Sequence, residues 1–200
     1  MDQVTAPHRQ PLERRAVVKR LVASRRDLLV VAGLGSTAYD LFAAGDHPAN
    51  FYLWGAMGGA AMIGLGLALA QPRRPVLVIT GDGEQLMGLG SFATIGAQRP
   101  PNFSLAVIDN ERYGETGMQR SHTALGTDLV AVAKACGFAS AQEIKAEAEL
   151  DAFAAQALHM AGPGFALIKV APQNPPRVLP PRDGVHLKNR FRQALGLAVN

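Results

Sequence analysis

Two short apolar runs, each followed by an oxygen-bearing side chain, constrain the fold of this 200-residue chain more than any other feature. The run 75–80 leads into a Gly-Asp-Gly turn at 81–83, and the run 103–108 leads to Asn110. About one helix length of residues separates them. A strand, a helix and a second strand in this order predict a parallel unit with a right-handed crossover. Because the carboxyl ends of parallel strands lie at one sheet edge, we expect Asp82 and Asn110 to lie together there.

These residue types favour a metal-bridged diphosphate. Magnesium takes carboxylate and amide oxygens and keeps its other positions for water and phosphate oxygens. Gly81 and Gly83 let a phosphate approach the backbone, and a helix starting near Glu84 would direct free N–H groups toward it. The alternative is a tight turn and a helix start that need the same residues for capping alone. We expect Glu84, which phosphate would repel, to point away and cap its helix.

The Gly-Asp-Gly turn, followed at this distance by Asp-Asn, resembles the signature of enzymes that use thiamine diphosphate (ThDP). The stretch DNERYGETGMQ is similar to that of sulfopyruvate decarboxylase β subunits, and less closely to that of phosphonopyruvate decarboxylases. The resemblance implies an α/β fold in which residues 1–200 form a single ThDP diphosphate-binding domain, a parallel sheet flanked by helices on both faces. It implies ThDP and Mg²⁺ as cofactors, with three metal ligands: Asp82, Asn110 and the backbone carbonyl of Arg112.

The resemblance assigns further residues to the cofactor. Met57 occupies the position of the apolar side chain that wedges between the two rings of ThDP, and the Gly55 carbonyl would accept a hydrogen bond from the pyrimidine amino group. Core packing is the alternative for Met57. The cofactor-lining set is completed by Gly35, Ser36, Thr37, Gly81, Gly83, Glu84, Tyr113, Gly114 and Glu115. As a dinucleotide fingerprint, GLGSTA at 33–38 is incomplete, because Ala38 takes the last position and no acidic residue follows about 20 positions on.

The loop after the metal-site motif holds three candidates for contact with the substrate: Thr116, Arg120 and His122. A sulfonate or phosphonate tail calls for a cation with directional donors, which Arg120 and His122 could supply. The alternative for each is a solvated loop residue. The other histidines, at positions 8, 47, 159 and 186, have no carboxylate or cysteine at ligand spacing and are interpreted as surface or structural residues.

In this family, a glutamate on a separate pyrimidine-binding domain activates the cofactor. This chain resembles only the diphosphate-binding half, so the resemblance implies that the glutamate comes from a separate α subunit and that no activating residue lies on this chain. The implied function is the β subunit of a two-chain 2-oxo acid decarboxylase. It would release CO₂ and an aldehyde from a small anionic 2-oxo acid, as part of an α2β2 or larger hetero-oligomer.

Four alternatives to a decarboxylase subunit stay open. A carboligase or carbon–carbon lyase subunit of the acetolactate synthase type shares every motif above. A 2-oxo acid:ferredoxin oxidoreductase subunit would need cluster cysteines on other chains. A ThDP-binding regulatory subunit would be non-catalytic. A nucleotide-binding module of the Rossmann type would bind NADH without magnesium.

Composition argues against nucleic-acid and membrane partners. Of the net charge of +4, residues 1–26 carry +5, and no aromatic side chains alternate with their basic residues as a stacking surface would require. The segment 51–70 is uncharged and long enough to cross a bilayer, but its five glycines favour a strand end, a turn and a buried helix. The start lacks a signal peptide, and Cys136 is the single cysteine, so we expect a cytoplasmic protein without an internal disulfide.

Periodicity and breaker residues predict alternating strands and helices. The predicted strands are 28–32, 51–54, 76–80, 104–108 and 165–170. The predicted helices are 12–24, with its arginines opposite the apolar face, 58–70, 85–97, 129–136, 147–160 and 187–195. We expect a loop over 111–127 and an extended, proline-rich crossing segment over 172–181, so that residues 172–200 comprise this segment and a C-terminal helix.

Overall fold

The computed structural model describes residues 11–199, which form eight strands and eight α-helices. The strands are β1 (Leu29–Ala32), β2 (Asn50–Tyr52), β3 (Val76–Gly81), β4 (Phe103–Asp109), β5 (Arg112–Tyr113), β6 (Gln119–Arg120), β7 (Ser140–Ile144) and β8 (Gly164–Lys169). Six of them form a parallel sheet in the order β2-β1-β3-β4-β8-β7, while β5 and β6 form a short antiparallel hairpin. The predicted parallel α/β fold is confirmed.

The helices cover both faces of this sheet. They are α1 (Arg14–Leu21), α2 (Ser36–Ala43), α3 (Ala60–Ala70), α4 (Asp82–Met87), α5 (Ser91–Gln98), α6 (Leu129–Ala135), α7 (Glu147–Leu158) and α8 (Gly184–Ala194), with a 3₁₀ helix at His122–Leu125. Val30 and Ala32 of β1 pack with apolar residues of α1, α2 and α7. Leu29 and Val31 pack on the opposite face with residues of α3, α5 and α6. The period-2 alternation of a strand therefore divides the core into two layers.

The prediction of one helix over 85–97 is wrong, because the chain turns between α4 and α5. The cause is a close approach of two backbones: a Cβ atom on Gly88 would lie 2.2 Å from the carbonyl oxygen of Gly58. Gly58 has a φ of +90°, a conformation that favours glycine. The loop before α3 is thus fixed against the end of α4.

Two further differences concern the edges of the domain. The edge strand β7 was not predicted, because its residues are mostly polar and half-buried and form no apolar run. The basic helix predicted over 12–24 spans only Arg14–Leu21, and residues 1–10 of the predicted basic segment lie outside the described residues. The prediction that its arginines lie opposite the apolar face is wrong for Arg14, which is buried with Val17, Val18 and Leu21.

The predicted crossing segment 172–181 contains no helix or strand and is held by hydrogen bonds to its carbonyls. Trp54 donates its indole N–H to the Pro181 carbonyl at 2.7 Å, and Arg15 donates to the Pro176 carbonyl at 2.8 Å. Within residues 11–199, no helix combines the length and apolarity needed to cross a bilayer, and the apolar segment 51–70 contributes only the 11-residue α3.

Candidate cofactor site

A cleft opens at the carboxyl ends of β1, β3 and β4, the edge at which open α/β sheets bind ligands. Most of the residues assigned to the cofactor line it. They are Ser36, Thr37, Met57, Gly81, Asp82, Gly83, Glu84, Asn110, Arg112, Tyr113, Gly114 and Glu115, joined by Thr116, Arg14, Leu34 and Ile108. Gly35, Gly55, Arg120 and His122 are not among the lining residues.

Asp82 lies at the first position of α4, directly after β3, and only 3% of it is exposed. Burial, with a further contribution from the neighbouring Asp109, raises the pKa of its carboxyl group to about 6, although hydrogen bonds to the carboxylate act in the opposite direction. One of these bonds comes from the Ser121 hydroxyl, which donates to Oδ2 of Asp82 at 2.5 Å. The carboxylate therefore lies in an environment that disfavours an uncompensated negative charge.

Asn110 directly follows the neighbouring strand β4, and Arg112 is the first residue of β5. Gly81 pairs with Ile108 in the sheet, which brings the residues after β3 and β4 to the same edge. Oδ1 of Asn110 accepts the Arg112 backbone N–H at 2.9 Å, so the side chain turns back over the loop that follows it. Asp82, Asn110 and Arg112 line a common cleft. A carboxylate, an amide and a backbone carbonyl from these residues would form a donor set that fits magnesium.

A second set of polar residues forms a hydrogen-bond network that includes the Asp82 carboxylate. The Thr123 hydroxyl lies between two carboxylates, 2.8 Å from Oδ1 of Asp109 and 3.4 Å from Oδ2 of Asp82. The Lys169 ammonium donates to Oδ2 of Asp109 at 2.8 Å and to Glu111 at 2.5 Å. This network connects the candidate metal ligand to a cation on β8. Sequence reasoning missed it, although the carboxylate in Asp109-Asn110, where the family signature has an Asn pair, signalled that a cation was needed.

Glu84 is buried and links loops that are distant in sequence. Its carboxylate accepts the Leu34 backbone N–H at 2.9 Å. Burial raises the pKa of this carboxyl group, while the hydrogen bond from the Leu34 backbone N–H lowers it. The prediction that Glu84 caps its own helix is wrong, because its side chain spans toward the β1–α2 loop instead.

Two of the glycines assigned to the cofactor leave open space, Gly81 on the wall of the cleft and Gly55 outside it. A Cβ atom on Gly81 or Gly55 would have no neighbour within 4 Å, whereas one on Gly83 would lie 2.8 Å from the Tyr113 ring. Met57 is 44% exposed and lines the cleft, which excludes the core-packing alternative for this side chain. An open glycine turn beside an exposed apolar side chain fits a ligand with a phosphate end and an aromatic end.

The start of α2 forms the far wall. Gly35 has a φ of +76°, and the Thr37 hydroxyl donates to the Gly33 carbonyl at 3.0 Å. The Glu115 carboxylate lies 3.5 Å from the Ser36 hydroxyl and is paired with Arg177 at 2.8 Å. The first turn of α2, whose backbone N–H groups have no partner within the helix, therefore lines the cleft beside an acidic side chain that is paired with Arg177.

The three substrate-side candidates occupy different environments. Thr116 lines the cleft, and its hydroxyl contacts the side chain of Gln119 at 3.2 Å. Arg120 is exposed and donates to the Ala124 carbonyl. His122 is held by a 2.9 Å hydrogen bond between its Nδ1 and the Tyr113 hydroxyl. Thr116 therefore lies at the cleft, whereas Arg120 and His122 do not line it.

The chain belongs to the thiamine pyrophosphate enzyme family. The family model for the C-terminal TPP-binding domain of these enzymes matches residues 34–170. This span contains the Gly-Asp-Gly turn, Asn110 and the loop that follows it.

The curated proteins that are similar to this chain are decarboxylases or decarboxylase subunits. The chain is 41% identical to the sulfopyruvate decarboxylase subunit beta of Methanothermobacter thermautotrophicus, over 82% of this chain and 84% of that protein. It is 38% identical to the corresponding subunit of Methanococcus maripaludis, over 92% of this chain and 98% of that one. It is also 41% identical to phosphonopyruvate decarboxylase of Streptomyces viridochromogenes, over 78% of this chain but only 39% of that protein.

Solved structures agree on the fold. A thiamin diphosphate-dependent enzyme from Mycobacterium smegmatis superposes with a TM-score of 0.69 at 24% identity, covering 86% of this chain and 36% of that chain. Benzoylformate decarboxylase from Polynucleobacter necessarius gives a TM-score of 0.68 at 23% identity, covering 88% and 36%. In both cases this chain corresponds to about one third of the larger protein.

Proposed function

We propose that this protein is the β subunit of a two-chain ThDP- and Mg²⁺-dependent 2-oxo acid decarboxylase of the sulfopyruvate and phosphonopyruvate decarboxylase type. The observation that carries this proposal is that Asp82, Asn110 and Arg112 line one cleft together with Gly81, which leaves open space there. Membership of the TPP enzyme family and the similarity to subunits named beta support it.

Each part of the cleft has a proposed role. Asp82, Asn110 and the Arg112 carbonyl would hold Mg²⁺, and backbone N–H groups at 81–83 and at the start of α2 would bind the diphosphate. Met57 would support the bent cofactor. When bound, ThDP supplies the carbon nucleophile and then accepts the electron pair that CO₂ leaves behind. The chain's own contribution is to position these groups and to exclude water from the cleft wall.

The substrate would be a small anionic 2-oxo acid. The names of the similar proteins support a sulfonate- or phosphonate-bearing acid. Thr116 is the candidate that reaches the cleft from this chain. Arg120 and His122 would act on the substrate only if the loop 111–127 closes over the cleft, or if the partner subunit extends the cleft toward them.

A separate pyrimidine-binding α subunit would supply the activating glutamate, in an α2β2 or larger complex. Its docking surface on this chain would be the outer face of α3, where Met62, Ile63 and Leu69 are 41%, 36% and 51% exposed. Met87, which is 64% exposed, continues this surface toward the Gly58–Gly88 contact and the mouth of the cleft. A partner seated there would meet the cofactor at Met57.

Leu69→Glu should lower the amount of partner chain that co-purifies with this subunit by at least about tenfold, because an interface that buries an unpaired charge loses a few kcal/mol. Leu179→Glu is the matched control, since Leu179 is 43% exposed and belongs to the proline-rich segment, not to α3. Co-expression with the candidate partner, followed by native mass spectrometry, measures the effect. Equal loss in both variants, or in neither, would contradict α3 as the docking surface.

The reaction is tested by product analysis of the mixed complex with sulfopyruvate, phosphonopyruvate and pyruvate. The proposal predicts CO₂ and a free aldehyde from the complex and no turnover from this subunit alone. An acyloin or acetolactate-type product would establish the carboligase alternative. A complex that retains ThDP without any turnover of 2-oxo acids would favour the regulatory alternative. Turnover by the single subunit would overturn the two-chain proposal.

Thr123→Val should weaken Mg²⁺ binding in the presence of ThDP by about tenfold, in the range seen when the groups that orient metal ligands are removed. Valine keeps the shape but loses the hydroxyl that lies between Asp109 and Asp82. Thr127→Val is the control, because the Thr127 hydroxyl forms no hydrogen bond with residues 11–199. A calorimetric titration with Mg²⁺ gives the affinity. Unchanged binding in Thr123→Val would show that the network does not contribute to metal binding.

A further inference from the structure

Arg14 is a buried cation at the cofactor cleft that the proposed function leaves unexplained. Only 5% of it is exposed, although it lies on α1, whose other arginines face solvent in whole or in part. Its Nε lies 2.5 Å from Oδ2 of Asp40, which is fully buried on α2. Despite this ion pair, neither Nε nor Nη1 of Arg14 has a hydrogen-bond partner among residues 11–199. Burying a guanidinium with an unused N–H donor costs free energy unless a ligand accepts a hydrogen bond from that donor.

The charges around Arg14 leave a positive surplus. Asp40 is shared, because Arg15 also places its Nε 3.3 Å from Oδ1 of this carboxylate. Two guanidinium groups thus meet one carboxylate. Glu115, an acidic side chain that also lines the cleft, is already paired with Arg177 at 2.8 Å. The cluster of Arg14, Arg15 and Asp40 therefore carries one more positive charge than negative charge.

Arg14 shares the cleft wall with the start of α2. It lines the cleft together with Ser36 and Thr37, the first two residues of that eight-residue helix, and with the turn at 81–83. The N-terminus of α2 and the free edge of the Arg14 guanidinium both favour an anion. Asp40 lies on α2 itself, so the ion pair fixes the cation relative to the N–H groups of the first turn.

We propose that Arg14 binds the terminal phosphate of the diphosphate, with Asp40 as the residue that positions its guanidinium. This inference rests on the proposed function, because it takes the diphosphate as the ligand of the cleft. The side chain donates to phosphate oxygens and neutralises charge that Mg²⁺ leaves unbalanced. Asp40 touches no ligand and acts only through Arg14.

Arg14→Met should weaken Mg²⁺-ThDP binding by the complex about 10- to 100-fold, the loss expected from removing a charge-assisted hydrogen bond. Binding of Mg²⁺ with inorganic diphosphate, measured by the same calorimetry, should weaken by a similar factor, because the contact is to phosphate. Arg15→Met is the matched control: it removes the same charge and another contact to Asp40, but Arg15 does not line the cofactor cleft. Its affinity for both ligands should stay within about threefold of that of the unmodified protein.

Arg14→Met alone leaves Asp40 buried without its closest partner, so its fold is checked by thermal unfolding. The double variant Arg14→Met with Asp40→Asn removes both charges and should show the same loss of ThDP and diphosphate affinity. Unchanged affinity in a folded variant would overturn the inference, and so would a rise in substrate KM without a change in ThDP affinity. Failure of the unmodified complex to bind Mg²⁺-ThDP at all would instead overturn the proposed function.

Discussion

Asp82→Asn should weaken Mg²⁺-dependent ThDP binding by about 100-fold or more, exceeding the loss for residues that only orient metal ligands. The substitution keeps the shape of the side chain but removes the negative charge among the three candidate ligands. Calorimetric titration of the assembled complex with ThDP, at saturating and at zero Mg²⁺, gives both the affinity and its metal dependence. ThDP affinity that stays high and equally dependent on Mg²⁺ would exclude Asp82 as a ligand.

The same substitution should not destabilise the metal-free protein. A carboxyl group whose pKa is raised to about 6 by burial favours the protonated native state, so its charge costs stability at neutral pH. At pH values above 6, Asp82→Asn should therefore raise the midpoint of unfolding. This gain in stability should disappear as the pH falls from 6 to about 4, the ordinary carboxyl pKa. Asp128→Asn is the control: Asp128 caps α6, asparagine caps comparably well, and neither stability nor ThDP binding should change appreciably. A pH-independent effect of Asp82→Asn would contradict this account.

Gly88→Ala should destabilise the protein by about 2–4 kcal/mol, because the added methyl group would clash with backbone that cannot move freely. The new Cβ would lie 2.2 Å from the carbonyl oxygen of Gly58 and 3.0 Å from its carbonyl carbon. Relief of the clash would push the loop carrying Met57 away from α4. We therefore expect weaker ThDP binding in addition to a lower midpoint of urea unfolding.

Gly90→Ala provides the comparison for this experiment. Gly90 lies two residues further along, has a φ of −60°, and a Cβ there would have no neighbour within 4 Å. Its replacement should change the free energy of unfolding by no more than about 0.5 kcal/mol. If both alanine variants proved equally stable, the Gly58–Gly88 contact would not be the constraint that ends α4.

The parts of the fold that sequence analysis predicted are those specified by neighbouring residues. The apolar runs before Asp82 and Asn110 became β3 and β4, and the chain changes from strand to helix at Gly81 and Asp82, within the predicted Gly-Asp-Gly motif. These features need only local patterning and the handedness of a parallel crossover. Most of the cofactor set assigned by resemblance also lines one cleft.

The features that were missed depend on contacts between distant residues. The break after α4 comes from the backbone of Gly58, which is 30 positions away along the chain. The Glu84 carboxylate accepts the backbone N–H of Leu34, and a helix-capping rule does not consider a residue so distant in sequence. Arg14 could have been found, because it shares the spacing of Val17, Val18 and Leu21 on the buried side of α1, but no local rule says which carboxylate would receive it.

The uncharged outer face of α3 has a consequence for how such a protein must be produced. An 11-residue helix that contains no charged or polar side chain and leaves methionine, isoleucine and leucine open to solvent is an aggregation hazard while it waits for a partner. Synthesis of the two polypeptides in equal amounts, close together in time, would shorten that wait. Excess copies of this chain would be candidates for chaperone capture or proteolysis, so gene dosage, and not only catalytic residues, would set the yield of active enzyme.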